Sequence, residues 1–252
     1  MKHIRSLRVL VVLACALGIT ATRAGEITVS AAASLTNAFR DIAPLFEAAH
    51  PGVTVHLNFA ASGALLAQIT KGAPVDVFAS ADPLRMNLAQ ARNLVQTASR
   101  RNFALNALVV ITPASVAQPP RSIHGLAQPG VRRIAIGLPA SVPVGSYTRD
   151  VLEAARLWQA IEPRMIGASS VRQVLDYVAR GEVDAGFVYA TDAALMPGKV
   201  KLAFTVPTPQ PIVYPVAVLA EAPNPVQAAR FVDFLFTPAA RAVLASHGFG
   251  RP

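Results

Sequence analysis

From residue 26 onward, short runs of β-forming residues repeatedly give way to apolar residues at helical spacing. EITVS (26–30) precedes Phe39, Ile42, Leu45 and Phe46, and VTVHLNF (53–59) precedes Leu65, Leu66 and Ile69. Spacings of three and four place each set on one side of a helix. VDVFAS (75–80) then runs into Asp82 and Pro83, a helix-capping side chain followed by the residue best tolerated at a first helical position. Strand then helix, three times over, predicts parallel strands with helices on the sheet faces.

The alternation pauses and resumes. ALVVIT (107–112) is followed by a proline-containing stretch, PASVAQPPRSIHG, that reads as loop. After it come RIAIG (133–137), a helix carrying Val151, Leu152, Ala155 and Trp158, another carrying Val174, Leu175 and Val178, then AGFVY (185–189) and VKLAF (200–204). IVYPVAVL (212–219) is a long β-type run, and the remainder reads as a closing pair of helices. With 107–112 and 212–219 as connecting strands, the chain leaves one α/β unit, builds a second and returns. The expected lobes are 25–107 plus 213–252, and 108–212, with a cleft between them and a hinge of two strands. No repeat is visible in the sequence itself.

Residues 1–24 differ from all that follows. MKHIRSLR is basic, VLVVLACALGI is apolar but short for a bilayer span, and TATRAG offers small residues for cleavage. This predicts an export signal cut after Ala24 and a periplasmic protein. An uncleaved anchor and a lipid on Cys15 are the other readings of the segment. Cys15 is the one cysteine of the 252 residues, so the exported chain has no disulfide and no thiolate metal site. The chain is 53% hydrophobic, ample for buried cores. Its formal charge is +9; Lys2, Arg5, Arg8 and Arg23 leave with the signal, so 19 of 23 basic residues face 14 acidic ones, a net +5. The basic residues are scattered without an aromatic stripe, which argues against nucleic acid, while a mild positive potential favours anions.

Enzyme signatures are absent: no G-x-S-x-G elbow, no phosphate loop of the Walker type, no H-E-x-x-H, and histidines such as His50 and His56 without metal-ligand spacing. The positive signal is a design shared by four strand-to-helix junctions. Ser34 stands at an expected helix cap; Ser62 precedes Gly63 and a helical run; Val144 and Gly145 lead a proline turn into a helix; Ser169 and Ser170 precede Val171 at another. Each junction exposes unpaired N–H groups at the positive end of a helix dipole, a place that binds anions. Capping of the helix's own donors is the simpler role for any one of them. Four that meet in one crevice would hold a dianion with uncharged donors, and about seven hydrogen bonds of roughly 1.5 to 3 kcal/mol each would offset much of its dehydration. Such a cage offers hydrogens only, so it prefers a fully deprotonated oxyanion to hydrogen phosphate.

ITVSAAASLTNAF, FAASGALLAQITKGAPVDVFASAD, ALVVITP, VPVGSYT, SSVRQVLDYVARGEVDAGFVYATDA and YPVAVL together resemble, in order from about residue 26 to 250, the periplasmic molybdate-binding proteins of bacterial ABC importers. The resemblance implies an α/β fold of class II periplasmic binding proteins, two lobes with mostly parallel sheets flanked by helices, closing over molybdate or tungstate. It implies hydroxyl and N–H donors from Ser34 and Ser62, N–H donors from Val144 and Val171, and the phenol of Tyr189, so that the metal is held through its oxyanion oxygens and no cofactor is needed. It also implies delivery to an inner-membrane permease with its ATPase, by a monomer. Val144 stands where alanine is common and Ser170 where aspartate is frequent; neither change removes a donor. Two other readings remain: an isomerase of small tricarboxylates resembling aconitate isomerase, which would draw on Arg149, Arg172 and Glu153, and a receptor for sulfate or another anion.

Overall fold

The computed structural model describes residues 25–252, so the expected export signal and Cys15 lie outside the described residues. The chain runs β1 (Gly25–Ala32), α1 (Thr36–Ala49), β2 (Val53–Ala60), α2 (Ser62–Thr70), β3 (Val77–Ala79), α3 (Pro83–Ala91) and β4 (Arg101–Asn106). It continues with β5 (Leu108–Pro113), β6 (Ile134–Gly137), α4 (Pro143–Ala154), α5 (Trp158–Ile161), β7 (Met165–Ala168), α6 (Val171–Ala179), β8 (Ala185–Tyr189), α7 (Ala190–Ala193) and β9 (Val200–Val206). It closes with β10 (Ile212–Val218), α8 (Pro225–Phe234) and α9 (Pro238–Ser246).

Two five-stranded sheets result, ordered β2-β1-β3-β10-β4 and β7-β6-β8-β5-β9. In the first, β1 pairs in parallel with β2 and β3, while β10 runs antiparallel to β3 and β4. In the second, β6 pairs in parallel with β7 and β8, while β5 runs antiparallel to β8 and β9. One strand in each sheet is thus reversed against four that agree in direction. The two sheets share a single plan, β1-α1-β2-α2-β3 matching β6-α4-β7-α6-β8. The chain crosses between sheets twice, through Ala107 alone on the way out and through 207–211, PTPQP, on the way back.

Alternation along the strands explains the layering of the first lobe. Val77 and Val218 pack with Phe39, Ile42 and Phe46 of α1 and with Phe231 of α8, whereas their neighbours Phe78 and Ala217 pack with Leu65, Leu66, Ile69 and Met86 of α2 and α3. A period of two puts successive side chains on opposite faces, so both faces need helices. In the second lobe Val151, Leu152, Val174, Leu175 and Val178 cover Ile134, Ala135 and Phe187.

Three local expectations change. Leu45 is partly exposed, so the buried stripe of α1 is Ala38, Phe39, Ile42, Ala43 and Phe46. The predicted helix through Trp158 is two helices, because Arg156 takes a left-handed conformation (φ 57°) that ends α4. β4 and β7 were not expected; each lies at a sheet edge, where β4 (RNFALN) lacks a continuous apolar run and β7 (MIGA) is only four residues long.

Candidate functional site

Ser34 lies in a short 3-10 turn between β1 and α1. The expected cap is corrected here: Leu35 precedes α1 without a side-chain bond, and the Ser34 hydroxyl lies 3.0 Å from the Tyr214 hydroxyl instead. Ser62 is likewise inside its helix, as the first residue of α2 after Ala61. Its Oγ accepts from the Ala81 N–H at 3.0 Å, which occupies a lone pair and leaves the hydroxyl hydrogen to point elsewhere.

The second lobe repeats the arrangement with backbone donors. Val144 is the second residue of α4, behind Pro143, and Val171 is the first residue of α6, whose cap Ser170 accepts from the Gln173 N–H at 3.2 Å. N–H groups at these positions have no partner within their own helices. α4 begins hard against the end of β6: a Cβ on Gly145 would fall 1.9 Å from the Gly137 carbonyl oxygen, so only glycine permits this approach. Tyr189 ends β8, is 1% exposed, and its hydroxyl has no hydrogen-bond partner among the described residues. Burial, reinforced by Tyr214 nearby, pushes its phenol well above the usual range, so it keeps its proton and acts as a donor.

Ser34, Ser62, Val144, Val171 and Tyr189 line one small cavity, together with Ala32, Ala33, Ala61, Ala81, Val142 and Pro143. No lining residue is charged. Three helices, α2, α4 and α6, begin at its wall, and four alanines, Val142 and Pro143 complete the lining. A neutral wall of hydroxyl and peptide hydrogens, with helix dipoles positive toward the centre, suits a compact anion.

The sequence model of the bacterial extracellular solute-binding proteins matches residues 27–250. The chain belongs to this family. The molybdate-binding protein ModA of Escherichia coli is 38% identical over 232 residues, 89% of each chain. A Bacillus subtilis protein named as a putative ABC transporter substrate-binding lipoprotein is 34% identical over 225 residues, covering 88% of this chain and 85% of its own. The structure of the periplasmic molybdate-binding protein of Azotobacter vinelandii superposes with a TM-score of 0.79 at 26% identity, covering 90% of this chain and 99% of that one.

In this solute-binding protein the charged residues near the cage serve the joint between lobes. Arg85 of α3, 4% exposed, pairs with Asp82 at 2.6 Å and donates across to the Pro139 carbonyl (2.8 Å), the Ala140 carbonyl (3.1 Å) and the Ser146 hydroxyl (2.7 Å) of the other lobe. Arg172 of α6 reaches back, donating to Asn37 Oδ1 (2.9 Å) and the Ser34 carbonyl (3.2 Å). Its Nε lies 2.6 Å from Asp192, close but poorly aligned for a hydrogen bond. Burial pushes the Asp192 carboxyl up to about 6, although Arg172 pulls the other way. Arg149 pairs with Glu153 at 2.6 Å and sits over Trp158.

Sequence reasoning passed over Arg85, Asp192, Tyr214 and Asn106. A tyrosine within the apolar run IVYPVAVL was a usable signal, because a buried phenol requires a partner. Nothing in the sequence pointed to Arg85 as a bridge, since its partners in the other lobe lie 54 to 61 residues away.

Proposed function

We propose that this protein captures molybdate or tungstate outside the cytoplasmic membrane and hands it to a membrane permease driven by an ATPase. The observation that carries the reading is the Tyr189 hydroxyl: a buried donor without an acceptor, on the wall of a cavity lined by Ser34, Ser62 and three helix starts and by no charged side chain. A tetrahedral oxyanion supplies acceptors to each of these at once. The names of the Escherichia coli relative, 38% identical, and of the Azotobacter structure support the same ligand.

The mechanism is closure rather than covalent chemistry. The lobes, 25–107 plus 213–252 and 108–212, are taken to turn about Ala107 and the PTPQP return. The anion favours the closed state because its donors come from both sides. The family's description as extracellular and the basic and apolar segment at the N-terminus support export, here taken to be to the periplasm, where the protein would act as a monomer. The tricarboxylate isomerase reading called for cationic side chains at the cavity wall. Arg172 is engaged by Asn37, the Ser34 carbonyl and Asp192, and Arg149 by Glu153, which favours binding over catalysis.

Ser34→Ala and Ser62→Ala test the donor assignment. Each is expected to weaken molybdate binding by about 1 to 3 kcal/mol in calorimetry without unfolding the protein. Unchanged affinity in both would refute it.

A further inference from the structure

Hydrogen counting around Tyr214 extends this assignment beyond the cavity wall. Tyr214 sits within β10, is fully buried, and its hydroxyl has two neighbours, Ser34 Oγ at 3.0 Å and Asn106 Nδ2 at 3.2 Å. Asn106 is the last residue of β4, directly before the single-residue crossing to β5. Its Oδ1 accepts the Ala107 N–H at 2.9 Å, and that fixes the amide: the nitrogen must face Tyr214 and Thr191, to whose hydroxyl it also donates at 2.9 Å. A nitrogen in this position gives hydrogens and accepts none.

The direction of each bond then follows. The Tyr214 oxygen receives a hydrogen from Asn106, so its own hydrogen has one acceptor within reach, Ser34 Oγ. Burial pushes the Tyr214 phenol well above its usual range, so that hydrogen is not lost to solution. Ser34 Oγ therefore accepts from Tyr214, and the Ser34 hydrogen is left to point into the cavity. Ser62 reaches the same condition by a shorter route, since its Oγ is occupied by the Ala81 N–H.

We propose that Asn106 and Tyr214 are positioning residues that lock the Ser34 hydroxyl as a donor and so bias the site toward oxyanions carrying no proton. A hydroxyl free to rotate can donate to a bare oxygen or accept from a protonated one. One whose hydrogen is turned toward the cavity by an upstream donor presents that hydrogen first and keeps a single lone pair to accept with, so hydrogen phosphate or hydrogen arsenate, each with a proton near neutral pH, is met by a hydrogen where it needs an acceptor. Because the chain of bonds starts at the crossing between lobes, the orientation of Ser34 is tied to the hinge segment and not only to its own loop.

The inference rests on the oxyanion reading, and a double-mutant cycle separates the two. Molybdate and phosphate are titrated calorimetrically into wild type, Tyr214→Phe, Ser34→Ala and the double variant, with thermal unfolding of each unliganded protein recorded alongside. The expected results are a molybdate affinity about tenfold lower in Tyr214→Phe, a smaller molybdate-to-phosphate ratio, and no further loss when the phenol is removed from Ser34→Ala. Asn106→Ala, which withdraws the upstream donor but keeps the phenol, is expected to lower the same ratio. Losses that add in the double variant, or an unchanged ratio in Tyr214→Phe, would overturn the relay while leaving the functional reading intact. A wild-type protein that binds no tetrahedral oxyanion would overturn both.

Discussion

The Gly63 N–H donates to the Ser141 carbonyl at 2.9 Å, joining the first turn of α2 in one lobe to the turn before α4 in the other. A Cβ on Gly63 would lie 2.5 Å from that carbonyl oxygen and 2.8 Å from the Ser141 Cα. The two lobes therefore meet backbone to backbone directly beside Ser62, so the proposed opening of the cavity would have to break this contact.

Gly63→Ala is accordingly expected to hinder closure rather than folding. Its position within α2 accepts alanine, which is the better helix former by roughly 1 kcal/mol. Molybdate affinity should fall by about tenfold or more while the melting temperature of the unliganded protein holds or rises, as read by calorimetry and thermal unfolding.

Tyr189→Phe separates binding from stability in a different way. The phenol oxygen is buried with no partner, so removing it relieves an unsatisfied polar group. The unliganded variant should be as stable as wild type or more so, yet bind molybdate about 1 to 3 kcal/mol more weakly. A variant that loses stability and keeps affinity would remove Tyr189 from the cage.

Arg85 is expected to matter for stability. Arg85→Ala leaves the Asp82 carboxylate buried without its cation and takes three hydrogen bonds from the facing lobe. Denaturant unfolding should show a loss of about 3 to 5 kcal/mol.

Asp192 sets a pH dependence with a definite sign. Its carboxyl is raised by burial to about 6 in the folded protein, so between the ordinary aspartate range near pH 4 and about pH 6 the folded state binds more protons than the unfolded state. This group's contribution to stability is fully present below that window and is lost as pH rises through it. Asp192→Asn should flatten that part of the profile in denaturant unfolding followed across pH.

Much of this was legible in the sequence, and the boundary has physical causes. AGFVY matches β8 residue for residue, and the Asp82 cap is made, with Oδ1 accepting the Arg85 N–H at 2.9 Å, because continuous apolar runs and N-caps are local signals. The common plan of the two lobes left no mark, since it resides in strand order and not in shared residues. The four junctions were visible as helix starts, but the job of each hydroxyl was not. Whether Ser34 caps its own helix or meets Tyr214 depends on a side chain 180 positions away, which periodicity does not reach. Arg172 read as a candidate for substrate carboxylates until Asp192 and the Ser34 carbonyl were found around it.

The central claim is tested most directly by calorimetric titration of residues 25–252 with molybdate, tungstate, sulfate, phosphate and aconitate under one set of conditions. The account predicts tight one-to-one binding of molybdate and tungstate, far weaker binding of phosphate, and no binding of aconitate. Tight binding of aconitate, or phosphate held as firmly as molybdate, would contradict it.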